Sequence, residues 1–140
     1  MDRDWLSLLA RYLAAIFVLN LVWEAAHMPL YDLWSTGSIR QVLLYGAHCT
    51  VGDVLIALSS LVAALFVSGT AEWPATRYGR VAAIAVLFGF AYTVGSEWYN
   101  VRIAGSWTYA EGMPLIFGIG LTPLLQWLIV PPAAFWWAKR

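Results

Sequence analysis

Five ionisable side chains occupy the same end of three successive apolar stretches: Glu24 and His27, then His48 and Asp53, then Glu97. An Asp, Lys or Arg at the centre of a lipid-solvated helix costs about 2.5–3.5 kcal/mol, so such residues point first to function. If Glu24, Asp53 and Glu97 were all ionised, like charges would meet in a poorly screened space. Either protons or a cation must then be taken up. That requirement separates the chemistries these residues can perform.

The first is acid–base catalysis, of isomerase, cyclase or hydrolase type. A desolvated carboxyl can stay protonated and donate while a second one remains a base, and histidine titrates near neutrality and suits either role. Glu24 is the expected acid, His27 or Asp53 the base, and Glu97 and Asn100 orienting groups. Aromatic side chains near the same end (Trp23, Tyr31, Trp34, Trp98, Trp107, Tyr109) suit a lipid-like or isoprenoid-like substrate, with His48 beside them. Arg40 and Arg102 can bind a lipid phosphate.

The second is a metal or haem. Glu24-x-x-His27 is the i, i+3 unit of four-helix carboxylate metal sites. Glu97-x-x-Asn100 stands where a second copy would be required, which leaves a mononuclear His27, His48 and Glu24 site, or a haem held by the two histidines. Met28, Cys49 and Met113 add possible copper ligands. The third is a partner-subunit role or proton or cation transport; four helices alone make a narrow pore, so transport would require a homodimer. Against all three stands a structural explanation. Glu24, Asp53 and Glu97 lie near helix ends and can snorkel to headgroups, and the tryptophans can form an interfacial belt.

The elements that carry these residues are transmembrane. Of 140 residues, 61% are hydrophobic and 11% charged, against about 45–50% and roughly 25% in soluble domains. A span needs about 20 apolar residues. The sequence predicts an all-α, polytopic, single-domain protein over 1–140: four transmembrane helices with short loops, at Leu6–Met28, His48–Ser68, Val81–Val101 and Pro114–Trp137. Pro114 suits a first helical position, and Pro123 and Pro131-Pro132 interrupt the fourth helix, which predicts a kink near Gly118–Pro123. A zero formal charge offers no face to nucleic acid, so membrane lipids are the expected surroundings.

Asn20, Glu24, His27 and Tyr31 fall within an arc of roughly 60° on the first helix. Thr93, Glu97 and Asn100 repeat that spacing on the third, which hints at two related hairpins. A short surface helix is expected over Ser38–Tyr45, and a small cap over the outer mouth from Val101–Gly112. The glycines at 89, 95, 118 and 120 read as close-packing contacts, and Gln126 as an interhelical hydrogen-bond partner. Arg3, Arg11, Arg77, Arg80, Lys139 and Arg140 lie toward one side, and Arg40 and Arg102 toward the other. The positive-inside rule then puts both termini in the cytoplasm and the polar cluster in the outer leaflet of an inner membrane.

The run Asn20-Leu-Val-Trp-Glu24 resembles the Asn-x-x-Trp-Glu motif of membrane-embedded terpene cyclases, which are larger and have more helices. The likeness covers five of 140 residues. It implies an acid role for Glu24.

Overall fold

The computed structural model describes residues 4–69 and 71–140; Asp2 and Arg3, the latter part of the charge asymmetry, lie outside the described residues. The fold is all-α apart from one two-residue-per-strand hairpin. Helix α1 runs Asp4–His27, α2 Leu33–Thr36, α3 Ile39–Ser68, α4 Tyr78–Tyr99 and α5 Leu121–Ala138. Among the described residues three segments, Asp4–Leu30, Ile39–Ser68 and Tyr78–Ala104, are long and apolar enough to cross a membrane. The long helices pack in a ring: α1 on α3, α3 on α4, α4 on α5, and α5 back on α1.

Each interior face follows helical periodicity. On α1 it is Tyr12, Ile16, Asn20, Glu24 and His27; on α4 it is Val81, Ala85, Gly89, Thr93 and Glu97. The lower half is largely apolar, with Tyr12, Ile16, Ala57, Leu61, Ala64, Val81, Ala85 and Phe135 all buried beside Ser60 and Ser68 of α3. Polar residues enter the α1 and α4 stripes only toward the upper end. A methyl group on Gly89 would overlap the Trp127 ring, so α4 and α5 meet at a true close approach. Gly95 behaves differently from its expectation: a Cβ there meets nothing within 4 Å.

The surface helix over Ser38–Tyr45 and the second span are one uninterrupted helix, α3. Ser38 and Gln41 cap it reciprocally, Gln41 N donating to Ser38 Oγ at 3.2 Å and Ser38 N to Gln41 Oε1 at 2.8 Å. No proline separates the two parts, and Gly46 alone costs a helix only about 1 kcal/mol. Gly69, in the left-handed region at φ 60°, ends α3.

The fourth segment departs from expectation at its start. Leu115–Ile116 and Ile119–Gly120 pair antiparallel, Leu115 opposite Gly120 and Ile116 opposite Ile119. Phe117 and Gly118 turn between them at φ 50° and 77°. Pro114 therefore precedes a hairpin, and α5 begins at Leu121. Gly118 and Gly120 disfavour helix at this point, and any side chain on Gly118 would collide with the Arg102 guanidinium. Pro123 is the third residue of α5, where a backbone N–H has no intrahelical partner to lose.

The two ends of the bundle are closed differently. At the lower end Arg11 Nη2 donates to Trp137 O (3.3 Å) and the Tyr78 hydroxyl to Phe135 O (2.6 Å). Lys139 and Arg140 sit over the rings of Tyr78 and Trp136. At the upper end the cap forms between loops: Asp32 N donates to Thr108 O and Ala110 N to Leu30 O, both at 2.9 Å. Tyr31 and Tyr109 are thus antiparallel partners.

Candidate functional site

A cavity of about 300 Å³ lies beneath this cap. Its walls include Glu24 and His27 from α1, His48 and Asp53 from α3, Glu97 from α4, and Gln126 from α5. The side chains that the sequence placed at one depth do converge. Helical spacing accounts for this: Asn20, Glu24 and His27 continue the buried stripe of α1, and Thr93 and Glu97 that of α4.

Gln126 organises the floor. Its Nε2 lies 2.8 Å from Asn20 Oδ1, 3.1 Å from Glu24 Oε1 and 3.0 Å from Asp53 Oδ2. Asn20 Nδ2 donates to Ile16 O at 2.9 Å, which fixes its amide with the oxygen toward Gln126. A primary amide has two hydrogens, so three acceptors compete for them. Glu24 Oε1 and Asp53 Oδ2 thus converge on one nitrogen. One proton between the two carboxyls resolves both the surplus of acceptors and the like-charge contact.

The other oxygen of Glu24 faces His27, with Oε2 to Nε2 at 3.1 Å. His27 Nδ1 lies 3.1 Å from Thr122 Oγ1, and the Thr122 hydroxyl donates to Met113 Sδ at 3.4 Å. A hydroxyl has one hydrogen. With that hydrogen on Met113, Thr122 accepts from His27 Nδ1–H, a tautomer assigned from the network. The neutral imidazole then presents a bare Nε2 to Glu24, and the bond requires a proton between them.

Glu97 comes from α4, across the ring from α1, and is held from above. Tyr109 donates its hydroxyl to Glu97 Oε2 at 2.5 Å and Trp107 donates Nε1 to the same oxygen at 3.3 Å. Burial, and then this bond, raise the Tyr109 phenol well above its usual range, so it remains a donor. Burial, followed by the charge of Glu97, does the same to Tyr31. Asn100 binds its own helix, Nδ2 to Ser96 O at 2.9 Å. The likeness of the two polar stripes therefore stops at the helix face, because the two glutamates have different partners.

Of the predicted substrate-binding residues, Tyr31, His48, Asn100 and Trp107 line the cavity. Asn20 lies under Gln126, and Tyr109 acts through Glu97. Trp98 is 52% exposed on the outer face of α4. It stands about 100° around α4 from Glu97 and does not line the cavity. The same geometry turns Trp23 from Glu24 into core packing, where its Nε1 has no partner. Arg40 is exposed on the first turn of α3, and Arg102 is exposed under the Gly118 turn. Neither arginine reaches the cavity. Tyr45 and Thr122 are site residues that the sequence reading missed.

Both ring nitrogens of His27 are engaged within the protein. Among the described residues no three His, Cys, Asp or Glu side chains converge as a metal site. Met113 instead receives the Thr122 hydroxyl, and Met28 packs near Gly46. The expected haem or transition-metal arrangement of His27, His48 and Glu24 thus finds no free ligand set. No protein-family model, curated protein or solved structure matches the chain, so function has to be argued from this geometry.

Proposed function

We propose that the protein is a small membrane-embedded enzyme that performs acid–base chemistry on a lipid-like substrate. In this reading α5 is a fourth span, both termini are cytoplasmic and the cavity faces the outer leaflet. Glu24 is the acid. Asp53 shares its proton and serves as base, and His27 positions and re-protonates Glu24 through Nε2. Glu97, held by Tyr109 and Trp107, orients the substrate or stabilises positive charge that develops on it. Asn100 stands beside it.

The observation that carries the reading is the shortage of hydrogens around Glu24. Three oxygens compete for the Gln126 amide, and the facing His27 nitrogen needs a proton. A carboxyl built to hold an exchangeable proton is what general acid catalysis requires. The outer faces of the helices around the cavity are apolar, with Val51, Leu55 and Leu87 exposed, which suits a substrate that approaches from within the hydrocarbon. An alkene or an alcohol on an apolar chain meets that condition.

The test is solvent exchange. Membranes containing the protein are incubated in D₂O with a panel of isoprenoid alcohols and hydrocarbons, and products are read by mass spectrometry. A proton delivered by Glu24 comes from water, so the wild type is expected to place deuterium on carbon or to form a deuterated isomer. Glu24→Gln should abolish this while keeping the helical circular dichroism and elution of the wild type. Full incorporation by Glu24→Gln would show the assignment to be wrong.

A further inference from the structure

A second cavity, of about 360 Å³, runs along the membrane-facing seam between α3 and α4, lined by Leu55, Ile56, Ser59, Ala63, Phe88 and Tyr92 among others. Ile56 and Tyr92 are also walls of the polar cavity. The two spaces therefore adjoin across these side chains, roughly one helical turn below Asp53. From Leu55 to Ala63 the groove follows α3 for about 12 Å at 1.5 Å per residue.

Three features suit this seam to an elongated guest. Gly52 lies in the polar cavity wall one turn above Ile56, and a Cβ there meets nothing within 4 Å, so this glycine is not explained by packing. Thr93, on the same wall as Tyr92, is buried, and its Oγ1 has no hydrogen-bond partner. An unpaired buried hydroxyl costs about 1–3 kcal/mol, and a guest's π-system can accept its hydrogen weakly. Phe88 and Tyr92, one turn apart on α4, offer aromatic faces along the groove.

We infer that the α3–α4 seam is the berth of an isoprenoid chain, which enters sideways from the bilayer and delivers one of its double bonds, or its terminal alcohol, to Glu24. The inference rests on the acid–base reading for the choice of chain. A saturated acyl tail fits the groove but presents nothing for an acid to protonate. Tyr92, shared by both spaces and 58% exposed, stands at the threshold.

The experiment uses the full chain in lipid nanodiscs and two photoreactive probes. One is geranylgeraniol with a mid-chain diazirine; the other is phosphatidylcholine with a diazirine midway along one acyl chain. Labelled residues are mapped by mass spectrometry. The isoprenoid probe is expected to label Leu55, Ser59, Phe88 and Tyr92 about tenfold above the outward-facing Leu21 and Leu128, one decade of binding preference. Excess unlabelled geranylgeraniol should remove that signal. Gly52→Leu and Ser59→Trp should each cut groove labelling and leave Leu21 and Leu128 unchanged. Two positions are tested because each is open, Gly52 to the cavity and Ser59 to the exterior.

Glu24→Gln is expected to retain the groove labelling, because the berth does not need the acid. Labelling that survives alongside a failed deuterium test would leave the berth standing and remove the acid–base reading. The berth is overturned if the isoprenoid probe marks the groove no more than Leu21 and Leu128. It is equally overturned if the phosphatidylcholine probe marks it as strongly, or if Ser59→Trp leaves the labelling intact.

Discussion

Gln126 brings Asn20, Glu24 and Asp53 together from two other helices, and its removal is the most informative single change at the residue scale. Gln126→Leu keeps the volume but leaves buried oxygens without a donor, at about 1–3 kcal/mol each. The variant should lose several degrees in thermal melting followed by circular dichroism in detergent. Adding Asp53→Asn supplies an amide and deletes one acceptor. The double variant should therefore melt above Gln126→Leu alone, a coupling that a double-mutant cycle reads directly. Melting that is additive within error would mean that the two side chains do not interact. The stripe Asn20, Glu24, His27 was legible in the sequence because one helix sets it. Gln126 was legible as an interhelical partner, though not as the hub. Tyr45 and Thr122 were illegible because their place depends on how α3 and α5 rotate, which single-helix spacing does not encode.

The close approach of α4 and α5 at Gly89 and the open flank at Gly95 should respond oppositely to the same added methyl. Gly89→Ala pushes into the Trp127 ring and should destabilise by about 1–3 kcal/mol, the usual cost of overpacking. Gly95→Ala meets no neighbour and removes a poor helix former, so it should be neutral or stabilise by up to about 1 kcal/mol. Thermal unfolding of the two variants side by side checks this, and equal melting temperatures would contradict the packing described. The long apolar elements were evident from composition and length. The boundaries were not, wherever local rules competed. Pro114 argued for a helix start, but Gly118 and Gly120 with their flanking isoleucines favoured a hairpin. The surface helix expected over Ser38–Tyr45 instead runs on into the second span as α3, because Gly46 alone is too weak to break it.

The whole molecule has its two ends dressed differently, and this bears on how it sits in a bilayer. Arg11, Arg77, Arg80, Lys139 and Arg140 gather at the lower end, and Arg40 and Arg102 at the upper. With Cys49 replaced by serine, single cysteines at Ser106, Glu72 and Arg140 should report the arrangement. In intact cells a membrane-impermeant thiol reagent should label the cysteine at 106, and those at 72 and 140 only after permeabilisation. Joint labelling of 106 and 140 in intact cells would mean that α5 does not cross. The general class of the protein was legible from composition alone. The cap joining Tyr31 to Tyr109 was not, because it pairs loops almost eighty residues apart, for which local periodicity carries no signal.

The largely apolar lower half, packed around Tyr12, Ile16, Leu61 and Phe135, has an energetic corollary. It is a plug of low dielectric below the carboxyls, where a bare ion would pay a large solvation penalty. A hydrogen ion picked up by Glu24 or Asp53 must return by the route it came. Under the proposed acid–base chemistry, each cycle would therefore move no net charge from one face of the bilayer to the other, and turnover would draw nothing from the membrane voltage.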